Sequence, residues 1–428
     1  MDSGHYMTHR MSRITSQVLH NPFSDVVIVS YARTPIGYFG GSLASVSAAE
    51  LGAVAIKGAL SRTAGKVSPG DVEEVILGHV LSGGCGQAPA RQAAIKGGLP
   101  SSTVCSSVNK VCASGLKALT IGASQIALKQ RTCLLVGGME SMSNVPYYSS
   151  SNRFGAKMGH SMLKDGLILD GLWDVYTDQH MGSCADLTAK KFNLTREAQD
   201  AYAKLTVERA RASVAMHAKA IVPVELANGR VENDEQLQRA IPEKLPRLKP
   251  AFTSDGTVTA GNGSSLSDGA AALIMMTRAE AVSRGLKPIA SIVSFADAER
   301  DSVEFTIAPS TAVELALKHA NLKKNDIALW EFNEAFAAVI LANQQLLGLD
   351  TAKVNIHGGA IALGHPLGCS GARIVCTLLT ALEEGAIGCA AICNGGGGAT
   401  ALIVKKECYV WFCFKVTTTT SLEICQSS

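Results

Sequence analysis

Two stretches of this chain, far apart in sequence, carry the same punctuation. Ser114-Gly115 opens a run with helical spacing, and Val136-Gly137-Gly138 ends the apolar run after it. Later, Ser370-Gly371 opens a second helical run, and Ile392 ends a second apolar run just before a string of glycines. The offsets agree: 370 − 114 = 256 and 392 − 136 = 256. Two elements repeated at one spacing imply a duplicated structural unit. A pseudo-twofold pair of this kind lets loops from both halves converge on one site.

The repeated unit reads as α/β. Residues 26–31 (VVIVSY) form a short continuous apolar run, the mark of a strand covered on both faces. A helix is expected over 47–60, a strand within 72–80, strand and turn over 103–111, a helix over 114–129 and a buried strand over 134–138. From Ser141 to Gly263 the regularity drops. One long amphipathic helix is expected there over 195–217, and Pro242, Pro246 and Pro250 break up the segment beyond it. The rhythm then returns: strands over 270–276, 289–295 and 327–332, helices over 312–320, 335–347 and 370–382, and a final strand over 389–393. The boundaries expected are a leader over 1–24, a first half over 25–140, an inserted segment over 141–263, a return segment over 264–288, a second half over 289–406 and an atypical tail over 407–428. The leader is rich in Arg and Ser with one acid, Asp2, before Ser24, which fits disorder or a weak transit peptide.

Bulk properties narrow the class. With 428 residues and 47% hydrophobic content, the chain can build more than one core. A net charge of +3 does not suggest a nucleic-acid partner. No apolar run reaches the roughly 18 residues a membrane span needs. The 12 cysteines are scattered, without a CxxC pair or a histidine cluster, so neither a disulfide framework nor a metal site is expected. A reducing compartment is expected, the cytoplasm first, with mitochondrial or peroxisomal placement as alternatives.

Four loops are dense in reactive residues: the one holding Cys112, Asn333-Glu334-Ala335-Phe336-Ala337, Gly358–Gly371 with His365, and Cys393-Asn394-Gly395-Gly396-Gly397-Gly398. Neither glycine run has the spacing of a P-loop or of a dinucleotide fold. Cys112 stands where an extended run gives way to a helix, a place whose N–H groups and dipole favour the thiolate. His365 can serve such a cysteine as base, a second cysteine can shuttle a proton, and glycine-flanked N–H groups can face an oxyanion. Acyl transfer through a thioester, coupled to carbanion chemistry, is the reaction class this set suits.

At these loops the sequence resembles the thiolase family, closest to its acetoacetyl-CoA branch. The motifs run in order: ARTPIG at Ala32, GQAPARQA at Gly86, NKVCASG at Asn109, GGMESMSNVPY at Gly137, HMGSCA at His180, GTVTAGN at Gly256, NEAFA at Asn333, GGAIALGHPLGCSGAR at Gly358 and CNGGGGA at Cys393. The resemblance implies a duplicated, layered α-β-α-β-α architecture with an inserted loop domain that binds CoA. It implies condensation of two acetyl-CoA to acetoacetyl-CoA plus CoA, with a broad-chain 3-ketoacyl-CoA thiolase as the alternative. Cys112 would be the acylated nucleophile, Cys393 the acid/base, and His365 with a water on Asn333 the enolate oxyanion site. The N–H groups of Cys112 and Gly395 would form a second oxyanion hole. His180, Met181, Phe252, Ser264 and Phe336 would contact substrate, and Arg239 and Lys244 the CoA nucleotide. No cofactor is implied beyond CoA esters. Potassium activation is not expected, because Val207 stands where responsive members carry a tyrosine. The resemblance further implies a homodimer or homotetramer.

Overall fold

The computed structural model describes residues 21–408. The leader up to residue 20 and the tail beyond 408 lie outside the described residues. Nine principal strands form one mixed sheet: β1 (Val26–Arg33), β2 (Glu74–Gly78), β3 (Val104–Val108), β4 (Cys133–Ser141), β5 (Ser267–Thr277), β6 (Ala290–Glu299), β7 (Leu329–Phe332), β8 (Ile387–Asn394) and β9 (Gly398–Lys406). Their spatial order is β7-β8-β9-β6-β1-β5-β4-β2-β3, and the two-residue strand Gly37–Tyr38 adds to the start of β5. In one half β3, β2 and β4 run parallel and β5 and β1 follow antiparallel; in the other β7 and β8 are parallel and β9 and β6 antiparallel. The halves join where Val27 and Ile28 of β1 face Ser291 and Ala290 of β6. The repeat holds to within one residue of register: Glu74 pairs with Leu134, and Glu331 with Ala390, so the partners are offset by 331 − 74 = 257 and 390 − 134 = 256.

Side-chain alternation turns this sheet into layers. Leu134 and Val136 of β4 point into a central core, where they meet Leu116 and Leu119 of α2 (Ser114–Ala127) and Ile374, Val375 and Leu378 of α7 (Leu367–Ala381). Between them, Leu135 points the other way, onto Leu51 and Ile56 of α1 (Ala48–Ser61). The second half repeats this. Ile392 and Leu402 face the central helices, while Ile403, Trp330 and Phe332 face Val313 and Leu317 of α5 (Ala308–Ala320) and Val339 and Ile340 of α6 (Ala337–Leu347). Strands covered on both faces read as unbroken apolar runs, which is why alternation is invisible in 26–31. Each fully buried Leu or Ile contributes about 1.5–3 kcal/mol.

The chain between β4 and β5 leaves the sheet. It carries α3 (Met181–Lys191) and α4 (Arg196–Ala212) and is tied to the second half by Glu334. That buried carboxylate accepts from Tyr202 Oη at 2.7 Å, Thr206 Oγ1 at 2.9 Å, Asn355 Nδ2 at 2.9 Å and the Ile361 N–H at 3.1 Å.

Several expectations are corrected. The helix expected over 195–217 breaks at Ser213, whose backbone leaves the helical region (φ −113°, ψ 16°) while its hydroxyl bonds His357 Nδ1 at 2.8 Å. The segment over 389–393 is not the last strand, because the chain turns through Gly396 and Gly397, both at positive φ, into β9. The helix expected from Ser370 starts at Leu367, behind Pro366, whose ring fixes φ at a helix-compatible value. The leader does not extend to 24: Asn21 Nδ2 bonds Val293 O at 2.7 Å and Phe23 packs on Phe295. Glu407 belongs to the fold rather than the tail, pairing with Arg278 at 2.7 Å.

Candidate active site

Cys112 sits in the tight loop between β3 and α2. Val111, just before it, holds a left-handed backbone (φ 45°), an uncommon conformation for a β-branched residue. Three side-chain bonds hold it there: Asn109 Oδ1 accepts the Val111 N–H at 2.9 Å, Ser114 Oγ accepts the Lys110 N–H at 2.8 Å, and Ser114 Oγ donates to Val111 O at 2.6 Å. The loop thereby seats Cys112 between the central core and a small apolar cluster of Val80, Leu81, Met142, Leu167 and Leu367. The N–H groups of Cys112 itself and of Gly395, across the pseudo-twofold, both point at its sulfur. They pull its pKa down, but burial outweighs them and the Glu140 carboxylate adds to it, so the thiol is pushed up to about 12. The thiolate expected from the helix dipole is therefore not the resting form. A base must take the proton during reaction.

His365 reaches the same space from the loop before α7. Its backbone N–H donates to Ser265 O at 3.1 Å, its Nε2 lies 3.3 Å from Asn333 Nδ2, and its Nδ1 lies 2.5 Å from Ser370 Oγ. Burial, helped by Arg373, lowers its pKa to about 3, so the resting imidazole is neutral. Asn333 comes directly after β7 and is fixed by its N–H donating to Ala391 O at 2.9 Å. Cys393, near the end of β8, is buried, which pushes its thiol well above the usual range, and it is close enough to Cys112 for a thiolate there to raise it further.

Cys112, His365 and Gly395 open onto a cavity of about 270 Å³. His180, Met181, Phe252, Ser264 and Phe336 line it from the other side. Phe252 stacks on His180 with ring centroids 4.6 Å apart and meets Phe336 edge-on at 6.2 Å. His180 caps α3, its Nδ1 accepting the Gly182 N–H at 3.0 Å. Ser264 Oγ donates to Ala335 O at 3.0 Å. Arg239 and Lys244 are not in this cavity. They line a neighbouring groove of about 290 Å³ that begins at Gly263, where Arg239 pairs with Glu235 and lies 4.3 Å over the Tyr38 ring.

A family model described as the thiolase N-terminal domain matches residues 26–279, and one described as the thiolase C-terminal domain matches 286–406. The chain belongs to the thiolase family. Among thiolase relatives, acetyl-CoA acetyltransferase 2 of Arabidopsis thaliana is 50% identical over 392 residues, covering 89% of this chain and 97% of its own. The mitochondrial acetyl-CoA acetyltransferase of Mus musculus is 49% identical over 391 residues, covering 90% and 91%. A cytosolic one of Gibberella zeae is 49% identical over 390 residues, covering 89% and 98%. The crystal structure of the Acat5 thiolase from Ascaris suum in complex with coenzyme A superposes with a TM-score of 0.86 at 45% identity, covering 89% of this chain and all of that one.

Sequence reasoning missed supporting residues that this thiolase fold brings in. Glu140 accepts the N–H groups of Val80 and Leu81 at 3.1 Å and of Gly368 at 2.8 Å, fixing the cavity wall to the start of α7. Burial still raises its pKa to about 7. Met142, Leu172, Phe305 and Leu367 complete the apolar wall. An acid in the glycine-rich GGMES segment was the available signal for Glu140. The wall residues carry none, because an apolar side chain facing a cavity looks like any core residue.

Proposed function

We propose that this chain is an acetyl-CoA acetyltransferase, condensing two acetyl-CoA to acetoacetyl-CoA and CoA reversibly through an acyl-Cys112 intermediate. The observation that carries the reading is the meeting of Cys112, His365 and the Gly395 N–H on one cavity with Cys393 adjoining. His365 Nε2 takes the thiol proton as Cys112 attacks the thioester. The N–H groups of Cys112 and Gly395 are placed for the tetrahedral oxyanion. CoA leaves as a thiolate and takes the proton of Cys393. The Cys393 thiolate then removes a methyl proton from the second acetyl-CoA, and the enolate oxygen rests against His365 Nε2–H and a water held by Asn333. The enolate carbon attacks the acyl group, and Cys112 departs, recovering its proton from His365. All three groups end as they began.

The small cavity favours an acetyl group over a long chain; ligand pockets commonly span roughly 300–1,000 Å³. CoA's nucleotide end suits the groove with Arg239 and Lys244, the inserted segment over 141–263 being the CoA-binding part. On this reading the reaction uses no metal and no cofactor beyond CoA esters, and runs equally in potassium and sodium, since Val207 offers only a buried methyl face. A second copy of the chain pairs along β3, whose outer edge lies open with Val104 exposed; sedimentation of the purified protein checks this. The cytoplasm is the proposed compartment, checked by imaging a tagged chain.

The test is acetoacetyl-CoA thiolysis and acetyl-CoA condensation by the parent, Cys112→Ala and Cys393→Ala. Cys112→Ala should lose about 10³-fold or more and take up no acetyl group. Cys393→Ala should accumulate acetyl-Cys112, seen as a mass increase, without completing condensation. Normal turnover by Cys112→Ala would end the reading, and a faster rate with long-chain 3-ketoacyl-CoA would replace it by the broad-chain one.

A further inference from the structure

We propose that Ser370 is a positioning residue that locks one proton of His365 on Nδ1, leaving Nε2 alone to exchange protons with Cys112 and the enolate. The inference rests on the function proposed above and adds a residue to it. Ser370 Oγ lies 2.9 Å from Pro366 O, one helical turn back, and 2.5 Å from His365 Nδ1. A hydroxyl has a single proton. Pro366 O, which also takes the Ser370 N–H at 3.0 Å, can only accept, so both hydroxyl contacts are hydrogen bonds only when that proton goes to Pro366 O and Ser370 offers Nδ1 a lone pair. Nδ1 must then be the donor. The opposite ring nitrogen agrees: Nε2 faces the Asn333 amide nitrogen, also a donor, at 3.3 Å. Ser370 is fully buried, so no solvent competes for either bond.

The chemistry needs this asymmetry. A neutral imidazole with its proton on Nε2 cannot accept from Cys112. Its proton on Nδ1, by contrast, lets Nε2 take the thiol proton, offer it to the enolate oxygen and return it, while Ser370 supports the positive ring in between. Arg373, the charged group that faces this ring from α7, opposes that positive state, so the acceptor at Nδ1 matters more. A partner on the far ring nitrogen that fixes a histidine tautomer is a recurrent device.

The experiment compares the parent, Ser370→Ala and Ser370→Thr by nitrogen-15 NMR of labelled histidine and by single-turnover acetylation of Cys112. The parent should show His365 protonated on Nδ1. Ser370→Ala should shift it toward Nε2 and slow acetylation roughly ten- to a hundredfold, by analogy with partners that orient metal-bound histidines, with KM for acetyl-CoA nearly unchanged. Ser370→Thr keeps the hydroxyl and should restore both. An Nε2–H parent, or a Ser370→Ala variant that melts like the parent and acetylates at its rate, overturns the proposal. A parent that never acetylates Cys112 yet loses its Nδ1–H on Ser370→Ala would keep the Ser370 assignment and sink only the functional reading.

Discussion

At the scale of single residues, the strained backbone sits beside the reactive atom. Val111 is held in a left-handed conformation by Asn109 and Ser114, one residue before the thiol. Such a conformation costs a non-glycine residue roughly 1–2 kcal/mol and survives only where neighbours over-determine it. Val111→Gly removes the strain and the rigidity together. We expect stability within about 1 kcal/mol of the parent, because relief offsets the lost side chain and the freer unfolded chain. Acetylation of Cys112 should nonetheless slow about tenfold, since small misplacements of a reacting group are costly. Denaturant unfolding and single-turnover kinetics read the two effects separately; equal loss in both would show the strain to be incidental. The cysteines and His365 are legible in the sequence because glycines stand close to them, and Asn333 because NEAFA falls where an apolar strand run turns into a helical one. Ser370 reads there only as the opening of a helix, since a tautomer depends on a distance that spacing does not encode.

At the scale of elements, α2 and α7 cross at their glycines. A Cβ on Gly115 would lie 2.7 Å from Gly368 O, and one on Gly371 would lie 2.3 Å from the Leu116 backbone N. The two are equivalents in the repeat, 371 − 115 = 256. Gly371→Ala should therefore destabilise by about 2 kcal/mol net, overpacking of up to about 3 exceeding the roughly 1 kcal/mol alanine gains as a helix former. Urea midpoints check it, and a neutral or stabilising result would show that the helices can separate freely. The repeat itself is readable because these glycines recur. β9 is overlooked although GATALIVKK carries the apolar run ALIV over 401–404, because the glycine string before it reads as the close of the unit rather than as a turn that pairs β9 with β8. The break at Ser213 is hidden, its cause being a histidine 144 positions away.

At the scale of the whole molecule, buried neutral histidines set the acid limit. Burial lowers His365 to about 3 and His217 to about 4, against about 6.5 in an unfolded chain. Between those values the unfolded chain binds more protons at these two positions, so the share of stability they carry is full above about pH 6.5 and falls as pH drops toward 4, while the buried carboxyls of Glu140 and Glu331, raised by burial to about 7 and about 8, act in the opposite direction. Thermal midpoints at pH 7.5 and 5 isolate the histidine share when parent and His217→Gln are compared: the variant should lose less on going to pH 5, and an identical change in both would contradict the buried neutral state of His217. The layered class is legible from alternating apolar and helical runs, whereas the groove holding Arg239 and Lys244 apart from Cys112 depends on tertiary packing that the motifs leave open. One consequence of the strand order concerns time. β5 fills the gap between β1 and β4, yet it begins 267 − 141 = 126 positions after β4 ends. At roughly 5–20 residues per second, a ribosome needs about 6–25 s to make that stretch. For that interval two apolar strand edges wait without their shared neighbour, so the nascent first half is a natural client for a chaperone until residue 277 emerges.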